Sequence, residues 1–310
     1  MIYTVTLNPA VDRELTVADF AFDTVLRASD ARVDCGGKGF NVSRMLAALG
    51  AKSVALGFAG GKSGELLAEM LAMLNVETAF TWIEGETRTN VSIVTEHHDR
   101  YLKVNESGPT ISETAQAALL TQIEQLAKPG DWWVLAGSLP PGVPNTIYAQ
   151  LVRLIQSHGG QVILDTSGAA LLGGCAAGAF LIKPNDSEAE NISGVAIDSL
   201  LDAVTAAHQI QQMGPQNVVI SLGKSGAIFS DGETAWLAES PVIKESNPIG
   251  AGDSMVGGLV YGISLGMPVS EALQWGIACG AATASLAGTA VGTLPMVEDL
   301  LKQVKIKQFI

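Results

Sequence analysis

The sequence predicts an α/β fold: a mostly parallel central sheet with helices on both faces, and a small β-sheet lid. Short β-rich runs alternate with helical runs along most of the 310 residues, the pattern of a parallel sheet with crossover helices. The predicted strands end repeatedly in turns rich in Gly, Asn and Asp, where ligands gather in open α/β sheets. Two regions, 12–35 and 87–108, instead hold short alternating segments with too little apolar content for a core. They are read together as a small discontinuous sheet on a single domain spanning 1–310, and a sheet this small needs a partner, whether a ligand, the main domain or a second copy of itself.

Bulk properties narrow the function. There are 18 basic and 31 acidic residues, a net charge of −13 and no basic run, which argues against a nucleic-acid partner. No apolar run approaches the ~18 residues of a membrane span, and no basic-then-apolar leader precedes the first strand, so a cytoplasmic location away from membranes is expected. Cys35, Cys175 and Cys279 are an odd number without paired spacing, the mark of small buried hydrophobes rather than of disulfides or a zinc site.

The first strand spans residues 1–7 and stops at Asn8-Pro9. Asp12 follows at its carboxyl edge, where an acid suits sugar hydroxyls and equally suits an exposed turn. Segments 14–17 and 31–35 start the small sheet. Gly36-Gly37-Lys38-Gly39 then opens a helix whose apolar residues Val42, Met45, Leu46 and Leu49 share one face. Lys38 and Asn41 thereby stand at a helix N-terminus, a fit for a phosphate or sugar, with a solvated lysine as the bland alternative.

Residues 52–59, 64–74 and 77–83 read as strand, helix and strand. The run from Gly57 to Ser63 imitates a P-loop but has Leu56 where that motif needs glycine. The segment from Thr87 and a second one over 100–105, joined by the His97-His98-Asp99 turn, complete the small sheet; both histidines are read as solvated, with no ligand-spaced acid or Cys nearby. Ser112 caps a long helix, and the buried strand 132–136 ends in the rigid loop Gly137-Ser138-Leu139-Pro140. After the strand 180–183, Asn185 and Glu188 share one face of a helical turn and suit the water shell of Mg²⁺, or form an ordinary acidic helix start. The turn 223–226 suits nucleotide phosphates. Small residues over 270–286 and in the loop 288–292 leave room for a flat ring or for tight helix packing.

The stretch from Asn247 to Gly266 carries the chemistry. Gly250 and Gly252 free the backbone for close approach, and the helix that follows points its unpaired N–H groups back at them. Asp253 stands at the mouth of that anion hole, where a base is needed to take a proton from an attacking hydroxyl. No third glycine follows at position 255, which is Met, so a dinucleotide-binding turn is not indicated.

Together these residues resemble the ribokinase-like (PfkB) carbohydrate kinases, in the phosphofructokinase and tagatose-6-phosphate kinase branch, over essentially the whole chain. The carrying motifs are Thr6 to Asp12, Gly36 to Val42, Thr87 to Asn90, Gly137 to Pro140, Lys183-Pro184-Asn185 with Glu188, Ser221 to Gly223 with Gly226, and Gly250 to Asp253.

The resemblance implies an ATP-dependent phosphotransferase acting on a phosphorylated ketohexose, most simply fructose 1-phosphate at its 6-hydroxyl. Tagatose 6-phosphate and fructose 6-phosphate are the alternative acceptors, and a catalytically silent sugar-phosphate sensor is the reading from another class. Asp253 would be the base, with Gly250, Ala251 and Gly252 in the anion hole. Asn185 and Glu188 would surround Mg²⁺, and Lys183, Asn185, Ser221, Gly223, Gly226, Gly250 and Gly252, with the loop 288–292, would bind ATP. Asp12, Gly37, Asn41, Asn90 and Ser138 would hold the sugar, and Lys38, Arg88 and Lys103 its phosphate. The lid would exclude water and form a homodimer contact. Pro248 departs from the pattern, standing where relatives commonly carry Thr or another small residue.

Overall fold

The computed structural model describes residues 1–97 and 100–309, so His98 and Asp99 of the predicted turn lie outside the described residues. In chain order the first elements are β1 (Ile2–Thr6), β2 (Ala10–Val17), β3 (Asp30–Gly36), α1 (Lys38–Ala48), β4 (Ser53–Ala59), α2 (Gly61–Met73), β5 (Glu77–Trp82), β6 (Arg88–Thr95) and β7 (Tyr101–Asn105). The middle of the chain gives α3 (Glu113–Leu126), β8 (Trp132–Ala136), α4 (Ile147–Ser157), β9 (Gln161–Asp165), α5 (Gly168–Ala176), β10 (Leu181–Ile182), α6 (Asp186–Ser193) and α7 (Leu200–Gln211). The last third adds β11 (Asn217–Ser221), β12 (Ala227–Ser230), β13 (Ala235–Glu239), α8 (Ala251–Ser264), α9 (Val269–Ala284), α10 (Leu294–Leu301) and β14 (Lys305–Gln308).

Ten strands form the main sheet in the order β14-β13-β12-β11-β10-β9-β8-β1-β4-β5. Pairing is parallel from β5 to β11 and antiparallel from β11 to β14. Parallel strands are buried on both faces, and alternate residues feed two cores: Tyr3, Val5, Trp133 and Leu135 face α3, α4 and α5, while Ile2, Val134 and Ala136 face α1, α8 and α9. Stacking of Tyr3 on Trp133, with ring centroids 4.2 Å apart, locks β1 to β8 within the first core.

From β1 the chain moves outward to β4 and β5, then returns to β8 on the other side of β1. The carboxyl ends of β1 and β8 therefore border the crevice where strand order reverses, the place for a ligand in an open α/β sheet. The turns after both strands meet there: a Cβ on Gly137 would lie 3.8 Å from the Cβ of Lys38.

A separate four-stranded sheet, ordered β3-β2-β6-β7, stands over this crevice. Strands β2 and β3 are longer than the predicted segments, so Asp12 lies inside β2 and not in a turn; β2 and β6 pair in parallel, the other neighbours antiparallel. Aligned residues share a face, and one row across the sheet is Asp34, Asp12, Asn90 and Asn105, the next Arg32, Glu14, Ser92 and Lys103.

One reading left open in the sequence resolves in the fold, and the rejection of a P-loop gains a structural reason. The small residues of α9 serve packing against α8, since a Cβ on Gly276 would meet Leu259 and the Met255 carbonyl at 2.9 Å. The P-loop imitation at α2 is filled by the chain itself: the Glu86 carboxylate accepts the backbone N–H groups of Lys62 and Ser63. All three cysteines are buried and free, and no helix of the described residues is long and apolar enough to cross a membrane.

Candidate active site

Gly250 caps α8 in a left-handed conformation, φ 81°, which turns the chain so that the helix starts against the crevice. Asn247 braces this turn, accepting the Ile249 N–H at 3.0 Å and donating from Nδ2 to the Gly288 carbonyl at 2.8 Å. The Ala251 N–H is donated to the Pro248 carbonyl at 3.1 Å, so it is already engaged within the proposed anion hole. The N–H groups of Gly252 and Asp253 have no protein acceptor among the described residues and remain the donors of the helix N-terminus.

The Asp253 side chain is buried and accepts Nδ2 of Asn41 at 2.8 Å. Burial pushes its carboxyl up to about 6; the negative charge of Asp165 acts the same way, opposed by Lys38, the Asn41 hydrogen bond and Lys183. A carboxylate tuned to this range combines ionisation near neutral pH with useful basicity.

Asp165, at the end of β9, is a site residue that the sequence did not single out. It is buried, with Lys38 Nζ 2.9 Å from Oδ1 and Lys183 Nζ 3.5 Å from Oδ2. Burial alone would raise its pKa, but Lys183 and Lys38 outweigh that effect and hold it below the ordinary value. Burial likewise opposes the charge of Lys38, yet Asp165, Asp253 and Glu188 raise its pKa above the usual lysine value. Lys183 also reaches α8: a Cβ on Gly252 would sit 3.6 Å from its Nζ. Two ammonium groups thus flank the base and the helix N-terminus, an arrangement suited to a transferring phosphoryl group.

On the nucleotide side, Asn185 and Ser221 form an isolated parallel bridge, and Gly223 and Gly226 bound a one-turn 3₁₀ segment beside them. Gly226 is required by close approach, since a Cβ there would overlap the Ala238 carbonyl. Asn185 and Glu188 make a capping box on α6: Asn185 Oδ1 accepts the Glu188 N–H at 2.7 Å, and Glu188 Oε2 accepts the Asn185 N–H at 3.0 Å. A cleft of about 730 Å³ opens beside this region between Lys244, Ser246, Ser285, Asp299 and His97, and Asp253 does not line it.

On the sugar side, Gly36 lies so close to Asp12 that a Cβ would overlap its carboxylate, and Gly37 adopts φ 123° against Thr6. Asp12 accepts Nδ2 of Asn90 at 2.8 Å, and the buried Oδ1 of Asn90 has no partner among the described residues. Ser138 is exposed at the end of β8. The three predicted phosphate ligands occupy different surroundings: Lys38 is on Asp165, and Lys103 has no protein partner among the described residues. Arg88 donates to the carbonyls of Asn8 and Glu106 at 2.9 Å and of Pro9 at 3.4 Å. It thereby ties together the segments through which the chain enters and leaves the small sheet.

These features have counterparts in known proteins. The model of the pfkB family carbohydrate kinases matches residues 5–295. The chain belongs to that family. A 1-phosphofructokinase of Bacillus subtilis (strain 168) is 40% identical over 306 residues, covering 99% of each chain. The tetrameric inhibited form of phosphofructokinase-2 from Escherichia coli superposes with a TM-score of 0.90 at 31% identity, covering 97% of this chain and 98% of that one. Arabidopsis thaliana ribokinase, with ribose and ATP bound, is 19% identical with a TM-score of 0.79 over 97% and 98% of the chains, and shares the fold. The chain is thus a PfkB carbohydrate kinase, a phosphotransferase with ATP as the donor substrate.

Proposed function

We propose that this kinase is a 1-phosphofructokinase, moving the γ-phosphoryl group of ATP to the 6-hydroxyl of fructose 1-phosphate. The observation that carries the choice of a phosphorylated sugar is Lys103: it lies on the same face of the small sheet as Asp12 and Asn90, one row farther out, with its ammonium unpaired among the described residues. A sugar held by Asp12, Asn90 and Asn41 would place its phosphate toward that cation. The name of the Bacillus subtilis relative supports the 1-phosphate over its isomers.

In this reading Asp253 takes the proton of the attacking hydroxyl at Oδ1 or Oδ2, while Asn41 holds the carboxylate in place. Lys38, Lys183 and the free N–H groups of Gly252 and Asp253 balance the charge on the moving phosphoryl group. Gly223, Gly226 and Ser221 line the nucleotide. Glu188 fits a metal role: its Oε1 makes no hydrogen bond among the described residues, and its charge is felt at Lys38 across the cleft. Among the described residues no group of three His, Cys, Asp or Glu forms a cage, which suits Mg²⁺ held by Glu188 through water and by ATP, with Asn185 fixing the turn. Bound there, Mg²⁺ would neutralise charge on the β- and γ-phosphates.

The small sheet acts as the lid that keeps water from ATP. Its outer face carries the exposed residues Val33, Leu102 and Val104, which would be covered in a homodimer; the Escherichia coli neighbour is described as a tetramer. ADP release measured across fructose 1-phosphate, fructose 6-phosphate, tagatose 6-phosphate and fructose tests the assignment. The highest kcat/KM is expected for fructose 1-phosphate. A better isomer would move the assignment to that sugar, and no turnover with any would leave a silent sensor.

A further inference from the structure

Arg44 is a buried guanidinium on α1, one turn after Asn41. Its Nη1 donates to Asn41 Oδ1 at 3.0 Å and to the Cys35 carbonyl at 3.4 Å. Its Nη2 donates to the Thr289 carbonyl at 2.9 Å and lies 3.6 Å from Asp34 Oδ1. One side chain therefore joins α1, β3 and the loop 288–292.

The contact with Asn41 has a consequence for the base. An asparagine amide presents a donor at one end and an acceptor at the other, and a half-turn of χ2 exchanges them. With Nδ2 toward Asp253 the contact favours the carboxylate; with Oδ1 there, two acceptors would face each other. An ionised Asp253 selects Nδ2, but a protonated Asp253 can donate its O–H to Oδ1 with the amide turned, so Asn41 and Asp253 together do not fix the orientation. A guanidinium has donors only, so Arg44 accepts Oδ1 and rejects Nδ2.

We propose that Arg44 is a positioning residue: by holding Asn41 Oδ1 it keeps Nδ2 on Asp253, and by holding the Thr289 carbonyl it couples that orientation to the nucleotide-side loop. The proposal rests on Asp253 being the base. Arg32 supports the same loop from β3, with Nη1 3.4 Å from the Ala287 carbonyl, Nη2 3.5 Å from Thr289 Oγ1, and Nε 2.5 Å from Asp34 Oδ2. Loop, small sheet and base are thus linked through neighbouring guanidinium groups. The charged groups facing Asp253 from other elements are Asp165 after β9, Lys38 at the start of α1, and Lys183 after β10.

The test is kcat/KM against pH for Arg44→Met, with thermal melting to confirm folding. Loss of the enforced hydrogen bond should lower kcat about tenfold and move the acid limb upward by about one pH unit, because a donor that favours ionised Asp253 is no longer held in place. Arg44→Lys, still a donor without an acceptor, should keep the limb at its wild-type position. In an Asn41→Ala background the limb is already displaced, and Arg44→Met should move it no farther. If Arg44→Met does not fold, Arg44→Gln replaces it with the same expectation, since a glutamine can offer either end of its amide to Asn41. An unmoved limb in the folded variant, or an equal shift in the Asn41→Ala background, overturns the proposal. Asp253→Asn separates the two levels: wild-type kcat there refutes the base itself, whereas an inactive Asp253→Asn with an unmoved limb in Arg44→Met refutes only the role of Arg44.

Discussion

Lys38 Nζ lies 2.9 Å from Oδ1 of Asp165, a carboxylate that also has Lys183 on its other oxygen and repels Asp253. Asp165 thus pairs with both flanking ammonium groups and contributes to the basicity of the proposed base. In Asp165→Asn the neighbour that raises the pKa of Asp253 is gone while both lysines remain, so the acid limb of kcat/KM should fall to lower pH. The rate at neutral pH should drop with it, as a weaker base faces two less constrained cations. Removing one partner from a buried ionic cluster costs about 3–5 kcal/mol, so the variant should also melt at lower temperature. A limb that stays in place would detach Asp165 from Asp253.

For the unmodified enzyme, the sign of the pH dependence follows from Asp253 directly. The base must be ionised, and its pKa stands at about 6, so kcat/KM should rise with pH through that value and level off above it. Asp253→Asn keeps the shape and the contact to Asn41 but cannot take a proton. A kcat loss of about a hundredfold to ten-thousandfold is expected, with little change in sugar KM. Steady-state kinetics over pH decide both points together.

What the sequence discloses of this site is what lies close together along the chain. Gly250 to Asp253 and Gly36 to Asn41 announce turn, helix N-terminus and acid within a few residues, and the alternation of strands and helices places both at strand ends. Asp165 is different. As a sequence feature it is only the last residue of a strand, and its role appears when Lys38 and Lys183 fold onto it from distant positions. Arg88 and Lys38 show the same limit from the other direction, since a cation's partners are set by the tertiary fold: the carbonyls of Asn8, Pro9 and Glu106 in one case, Asp165 in the other. The antiparallel edge strand β14 and the helices α5, α7 and α10 are not legible in the sequence because their short apolar patterns gain meaning only against the sheet.

Glu188→Gln separates a structural from a metal role. Glutamine can still accept the Asn185 N–H, so the capping box should persist and the melting temperature should hold. The charge facing the cleft is lost, and more Mg²⁺ should be needed for half-maximal rate at fixed ATP. An unchanged titration curve with an unchanged melting temperature would leave Glu188 as a cap alone.

Arg88 and Lys103 offer a comparison within the proposed phosphate clamp. Lys103 has no protein partner among the described residues, so Lys103→Ala should leave stability nearly unchanged while weakening use of fructose 1-phosphate. A charge-assisted hydrogen bond is worth about 1.5–3 kcal/mol, equivalent to a loss in kcat/KM of roughly tenfold to a hundredfold or more. Arg88→Ala should show a similar kinetic loss together with a lower melting temperature, because three carbonyls at the entrances to the small sheet lose their donor. ATP KM should barely move in either variant. Wild-type enzyme assayed with unphosphorylated fructose completes the comparison: if that sugar matched fructose 1-phosphate, neither cation would be reading a phosphate. A kinetic change within about twofold for Lys103→Ala would likewise return that lysine to the solvent face of its strand, and Arg88 to its purely structural role if its own loss followed stability alone.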